Sequence, residues 1–499
     1  MYEYVIIGGG IAGLFAAHKL GDCTNKAIFE STYRFGGRIM TERFHDFKLD
    51  YGPTRIQIDN HTHLIELLNE LHIDVDDTEN YKTYFSDLKI EELTLEEKVI
   101  YKVHQDKNQD PVFGFLKYAL QQILGTQWNF EKNAVFSPER KVEMEMMKKW
   151  GKYKDKNLWE YGFWDLLCIV LSPEALKYVK SNSTFYHMIE YNLNALCHVC
   201  YMLNILSSTE SRLGTIRNGM EFLVNHIQKK INNHTELFPS HELLSFSEDK
   251  KGYKLRFKTA MNSNIVVHAQ HIIFCCNLNG IKNIQGFPRE IKYHFNEIVE
   301  VKLFKLFVII KNPPWKDDDD NIKYYSNENV PCREIHYRYQ PDLDIGEILI
   351  YGDFPSINFW KYYCKNQEYQ IEPEVNNNAA LLVQITTVLQ RLFPKVETFD
   401  IIHYSIKDWS ANPFPSGVHF WKPHVNVVEV LKRLQNFTLS NKNKFGGSLH
   451  ICGETFSFNQ GYIESALGSV VEVLDIIKNN KEPVSIPTTS CSDCFGFKT

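Results

Sequence analysis

Three stretches of the sequence predict an α/β fold built around a discontinuous Rossmann-like domain. The chain opens with "EYVIIGG", "GIAGLFAAHKL" and "KAIFE", which read as a strand, a glycine turn with its helix, and a second strand. Short strand patterns return between 236 and 275 in "YKLRFKT" and "NIVVHAQHIIFC". A strand, a loop and a long helix close the ordered chain in "LHICGETF…NQGYIESALGSVVEVLDIIK". A single sheet started at the N-terminus, extended mid-chain and completed near the end accounts for all three.

The opening stretch carries the most specific motif. Gly8, Gly10 and Gly13 form G-x-G-x-x-G between a strand and a helix, and Glu30 ends the next strand. Glycines let the backbone turn tightly and approach a pyrophosphate at the positive helix N-terminus, and the carboxylate accepts ribose hydroxyls. Gly8, Gly10, Ile11, Ala12, Gly13 and Glu30 are therefore candidate contacts to a dinucleotide. Six residues on, "GGRIMT" places Gly36, Gly37 and Arg38. A nicotinamide fold gives no reason for this second glycine pair. A flavin dinucleotide does, with Arg38 neutralising phosphate or reaching the flavin end.

Between these landmarks the pattern changes. Leu64, Leu67, Leu68 and Leu71 form one stripe of a helix over 62–75. Residues 110–230 are rich in helical patterns and aromatics, 300–352 hold further strands, and 377–392 and 425–437 read as helices. The acidic run in "KDDDDNIK" reads as a solvated loop. The expected domains are a nucleotide-binding domain over 1–75, 211–298 and 440–480, and a substrate domain over 76–110 and 299–439. A helical insertion over 111–210 and a Pro/Ser/Thr-rich tail over 481–499 complete the chain.

Composition narrows the function classes. At 499 residues the chain is too long for one small core. A net charge of −6 offers no field for nucleic acid. No apolar run reaches the ~18 residues of a membrane span, and "MYEYVIIGGG" passes into a strand with no leader pattern, so a cytoplasmic protein is expected. The cysteines are scattered, several in apolar runs, and read as reduced. Two CxxC pairs, Cys197/Cys200 and Cys491/Cys494, lie too far apart in sequence to argue a zinc site, and no metal is predicted.

Taken together, the motifs resemble the flavin amine oxidase superfamily, and the likeness spans nearly the whole chain. Besides the glycine fingerprint and "GGR", "GMEFLVNHI" from Gly219 is similar to the family's glycine-methionine turn, and Leu243 to the backbone contact beneath the adenine. "KLFVIIKNPPW" is similar to its lysine-bearing strand, and "CGETF…GYIESAL" to its closing signature. The resemblance implies an amine-oxidase type fold and non-covalent FAD, since Val418 stands where some relatives carry a flavin-linked cysteine. It implies that Gly453, Glu454, Gly461, Tyr462 and Ile463 pass the cofactor, the last at a helix start facing the pyrimidine side. It also implies that Lys305 holds a water near flavin N5.

The substrate side follows the same resemblance. "DWSANPFPSGVHFW", with Trp409 and His419, is similar to the loop walling the substrate cavity. Tyr462 matches one of the two aromatic rings that flank the substrate nitrogen, and His419 replaces the other. "YGPTRIQ" resembles the Gly-[Ala/Pro]-Met-Arg turn of L-amino-acid oxidases: Gly52, Pro53 and Arg55 match, while Thr54 replaces methionine and Gln57 replaces proline. Gly52 to Arg55 also count as cofactor contacts. A guanidinium there binds a carboxylate bidentately; a structural salt bridge and a phosphate contact are the alternatives.

The leading expectation is oxidation of an L-amino acid by hydride transfer to flavin, with imine hydrolysis to a keto acid and ammonia and with O2 reduced to H2O2. A polyamine or monoamine oxidase is the first rival, a flavin desaturase or mutase the second, and a non-catalytic binding module the third. Small molecules and O2 are the expected partners, with a homodimer allowed.

Overall fold

The computed structural model describes residues 1–77, 81–85, 111–125, 138–183, 191–206, 212–316, 321–325, 331–332, 334–354, 356–365, 368–376, 378–413, 415–439, 447–479 and 481–485. By packing, the chain forms two compact units. The first comprises Met1–Ile39, Glu221–Ile298 and Val427–Thr499, and the second Met40–Met220 and Val299–Asn426. The segment 40–75, expected with the nucleotide-binding domain, lies in the second unit.

The first unit is built on a nine-stranded sheet. Glu236–Phe238, Lys26–Phe29, Tyr2–Ile7, Asn264–Phe274 and Leu449–Ile451 lie side by side and parallel. Strands covered on both faces read as continuous apolar runs, as in Val5–Ile7 and Ile272–Phe274, all buried. His241–Asp249 and Gly252–Thr259 add an antiparallel hairpin to Asn264–Phe274. The helix Ile11–Lys19 is buried from Ile11 through Ala17 and packs against Glu221–Ile231 and Ile463–Lys478. Its small residues Ala12, Gly13, Ala16 and Ala17 allow that close approach on several sides. Val484–Ser485 pairs with Phe437–Thr438, so the segment expected as a loose tail begins with a paired strand.

The second unit centres on a seven-stranded sheet. Its order is Glu374–Val375, Asp400–Asp408, Leu303–Lys311, Ile345–Asp353, Glu334–Gln340, Asn321–Tyr325 and Tyr81–Phe85, and the last pair is parallel. Alternation along a strand sends successive side chains to opposite faces. Phe304, Leu306, Val308 and Ile310 join Ile348, Ile350, Tyr404 and Ile406 on a largely apolar face. The helices Ser356–Lys361 and Ala379–Leu392 cover it with Ile357, Trp360, Leu381, Ile385 and Leu389. The opposite face carries Phe307 and Ile309, and among them Lys305, Glu334, His336 and Glu347, all buried.

Helices Pro111–Leu124, Pro138–Trp150, Phe163–Val170, Pro173–Asn182 and Ala195–Leu206 make up the helical part of this unit. Cys197 and Cys200 lie on the last of them, Cys200 buried, and no cluster of three metal-ligating side chains occurs among the described residues. Cys491 and Cys494, like the aspartates of "KDDDDNIK", fall outside the described residues. Among the described residues no helix is long and apolar enough to cross a membrane.

Candidate active site

In the first unit the glycine turn is made by what its residues lack. Gly8 has φ +106°, and a Cβ there would meet the carbonyl oxygen of Cys275 at 2.8 Å. At Gly13 a Cβ would lie 2.0 Å from Gly8 O, so the helix can sit this close to the turn only with glycine. Gly10 is different: its Cβ would meet nothing nearer than Gly37 Cα at 4.0 Å, so it faces the open side of the turn. Gly10 also caps the helix without any side-chain hydrogen bond, which leaves the first-turn N–H groups uncapped by a side chain.

Glu30 is buried and firmly held. Its Oε2 accepts from Gly9 N at 2.7 Å, and its Oε1 from Thr32 N and Thr32 Oγ1, each at 2.8 Å. The second glycine pair docks on the first, with Gly36 N donating to Gly9 O at 2.8 Å. Gly36 and Gly37 have φ +108° and +58°. Arg34, not anticipated from sequence, ties this loop down: it donates to Gly37 O and Ile39 O and pairs with Glu221 at 2.8 Å. Arg38 Nη2 pairs with Glu454 Oε2 at 2.8 Å, and the other oxygen of Glu454 accepts from Gly461 N at 3.0 Å. Gly453, φ +112°, donates to Ser469 Oγ. Tyr462 stands at the N-cap of the helix Ile463–Lys478, where no side chain caps the first turn. Leu243 is buried on its strand beside a register shift.

A glycine turn open at Gly10, an uncapped helix start and a fixed carboxylate one strand away are the groups a dinucleotide requires. The residues present fit FAD on this account.

In the second unit the polar face of the sheet gathers around the turn of residues 50–55. Lys305 is 2% exposed. Its Nζ donates to Asp50 O at 2.8 Å, to Gly52 O at 2.6 Å and to Thr54 Oγ1. The Tyr351 ring, opposite on the neighbouring strand, lies with its centroid 4.9 Å from Nζ. Burial is the main cause that lowers the lysine's pKa from 10.5 to about 7. Arg55 and Arg338 push the same way, and Asp50 and Glu334 oppose them. Asp50 accepts from Thr41 Oγ1 at 2.6 Å and Met220 N at 2.9 Å, and burial raises its pKa.

Arg55 Nη2 meets Glu334 Oε1 at 2.5 Å; the arginine side chain is 32% exposed and the glutamate 1%. His336 Nε2 bonds the same oxygen. Two residues further along, Arg338 faces the buried Glu347 at 3.4 Å, and burial raises the pKa of that carboxyl. Thus the turn expected to carry a carboxylate hook carries one that holds a protein carboxylate. The water expected on Lys305 would have to replace one of three protein oxygens. Trp409 is buried and donates through Nε1 to Tyr51 O at 2.8 Å. His419 is fully buried, its Nε2 bonded to Ser416 Oγ at 2.8 Å.

Sequence reasoning missed Glu334, His336, Asp50 and Tyr351. A signal existed for the first two: "EIHYRYQ" sets Glu334, His336 and Arg338 at a period of two on a strand, which puts all three on one face.

Known proteins support this reading at several levels. An L-amino acid oxidase of Crotalus durissus terrificus, bordonein-L, is 23% identical over 97% of this chain and 88% of its own length. The L-amino-acid oxidase of Sistrurus catenatus edwardsii is 20% identical over the same shares. Polyamine oxidase 1 of Oryza sativa subsp. japonica is 42% identical over a stretch of 57 residues, 11% of each chain. Two putrescine oxidase variants redesigned in cofactor binding share the fold, with TM-scores of 0.64 and 0.65 at 14% identity, over 96% of this chain and 99% of theirs. The flavin containing amine oxidoreductase family matches residues 11–472. With the glycine turn, the fixed Glu30 and the buried lysine in place, the chain belongs to that family, as a flavin-dependent amine oxidoreductase with FAD as its cofactor.

Proposed function

We propose that the chain oxidises the carbon–nitrogen bond of an amine that carries a carboxylate, an L-amino acid, yielding an imine that hydrolyses to a keto acid and ammonia. The observation that carries this reading is Arg55, a partly exposed guanidinium in a short Gly-Pro turn that Lys305 ties down from the strand Leu303–Lys311. A planar guanidinium fixes both oxygens of a carboxylate and so the position of the carbon that reacts. Relatives named L-amino acid oxidases match over 97% of this chain and 88% of their own length.

FAD, when bound, supplies the acceptor for two electrons and passes them to O2, giving H2O2. The chain's own residues do the rest. Gly8, Gly10 and Gly13 admit the pyrophosphate, Glu30 takes the ribose, and Gly36 to Arg38 with Gly453, Glu454, Gly461 and Ile463 line the remainder. Val418 offers no nucleophile, so the cofactor is held without a covalent link. Lys305 anchors the Asp50–Thr54 turn and can hold a water in exchange for one of its oxygens. Trp409 and His419 shape the substrate side.

A second reading has its own observation. Glu334 is a buried carboxylate on the arginine, and a cationic amine could claim it, as in a polyamine or monoamine oxidase. Anaerobic bleaching of the flavin by L-amino acids and by polyamines, in the wild type and Arg55→Met, separates the two. The first reading expects amino acids to bleach it and the variant to lose apparent affinity for them about 10²-fold. Bleaching by polyamines alone, unchanged in the variant, overturns it.

A further inference from the structure

Thr54 departs from the motif its turn otherwise follows, and its hydroxyl meets the ammonium of Lys305. Three oxygens surround that nitrogen: Asp50 O, Gly52 O and Thr54 Oγ1. A protonated lysine presents three N–H donors, whereas a neutral one presents two and a lone pair. Two of the oxygens are carbonyls and can only accept. The hydroxyl alone can accept from the charged form and donate to the neutral one. Its other outlets for a proton are poor, since Asp50 O and Gly52 O lie 3.5 and 3.4 Å away.

We propose that Thr54 is a positioning residue that lets Lys305 gain and lose a proton in place. In the charged state Nζ spends its three donors on the three oxygens. In the neutral state two donors keep the carbonyls and the threonine O–H turns onto the lone pair. Both states keep every donor and the lone pair of the buried Nζ matched, so the turn bearing Arg55 keeps its position in both.

The groups around the lysine make such a partner useful. Arg55 follows in the same turn and Asp50 precedes it. Glu334, Arg338 and Glu347 face it from the neighbouring strands, with Tyr351 directly opposite. Lys407 lies across the ladder on the other side and donates to Gln370 O at 2.5 Å. The charges roughly oppose one another, burial decides, and the lysine titrates near neutrality.

The experiment labels lysine with 13C at Cε in the FAD-loaded protein and follows the Lys305 signal, assigned by its loss in Lys305→Met, across pH. The wild type should titrate near 7. Thr54→Val should lower the midpoint by about one unit, because the charge-assisted bond lost by the charged form outweighs the neutral bond lost by the uncharged one. Thr54→Ser should restore it. Should Thr54→Val not load with FAD, Thr54→Ala carries the same expectation. The pH profile of flavin reduction by whichever amine is oxidised should move in the same direction. A midpoint unmoved in the valine or alanine variant, or a serine variant that follows valine, overturns the proposal. The carbon signal needs no substrate, so a wrong substrate class leaves this result standing, and an unmoved midpoint leaves the substrate reading intact.

Discussion

The glycine turn of the first unit and the polar sheet face of the second are built in opposite ways. In the first, the site is backbone: Gly8, Gly13 and Gly36 are fixed by the space a Cβ would fill, and Glu30 is the main side chain added. In the second, the site is side chain: Lys305, Arg55, Glu334 and His336 come from a turn and two strands and hold one another by charge and hydrogen bonds. A backbone site tolerates almost no change at its crowded glycines. A side-chain site has partners that can be exchanged, and its behaviour depends on pH.

The sharpest break of that contrast lies at Gly13. Gly13→Val should cost more than ~4 kcal/mol and leave a colourless, poorly folded protein, whereas Gly10→Ala, where a Cβ has room, should keep the fold and only weaken FAD retention. Absorbance at the flavin band and a thermal melt read both. Equal damage at the two positions would show that crowding does not govern the turn.

Lys305→Met should slow flavin reduction on the order of 10²-fold while leaving FAD bound, because the turn that positions the substrate loses its anchor. The same variant tests the electrostatics of this face. Lys305 has a folded pKa of about 7 against an ordinary 10.5, so between those values the unfolded chain binds more protons than the folded one. Its contribution to stability therefore rises with pH across that window and is flat below it. Urea midpoints from neutral to alkaline pH should show a smaller rise in Lys305→Met than in the wild type.

The smallest effect is expected at the Arg55 pair. Arg55→Met strands a buried carboxylate with His336, at a cost of about 1–2 kcal/mol, between an exposed pair and a fully buried one. Adding Glu334→Gln should recover most of it. A double variant no more stable than the single would show that the pair does not matter to folding.

The same contrast explains what the sequence could tell. G-x-G-x-x-G, Glu30 and the strand, turn, helix and strand that carry them were legible because only glycine meets the steric demands at positions 8 and 13, and the requirement is local in the chain. Lys305 stood out as a lysine in an apolar strand. Its partners did not: Asp50, Tyr351 and Glu334 reach it through a turn and through cross-strand register, and register is set by pairing that no single strand reveals. Arg55 was read as a substrate hook because its turn resembles the Gly-[Ala/Pro]-Met-Arg motif; the partner that makes it a salt bridge, Glu334, arrives from 279 residues away.

The two-faced strand Leu303–Lys311 has a longer consequence. Its even positions bind the helical layer and its odd positions carry the chemistry, so the two tasks are written on alternate letters of one segment. Positions 334, 336 and 347 on the Lys305 face can therefore be exchanged without touching the side chains that hold the helical layer on the other face. A single inserted residue, by contrast, would trade oil for charge along the remainder of the strand and ruin both at once.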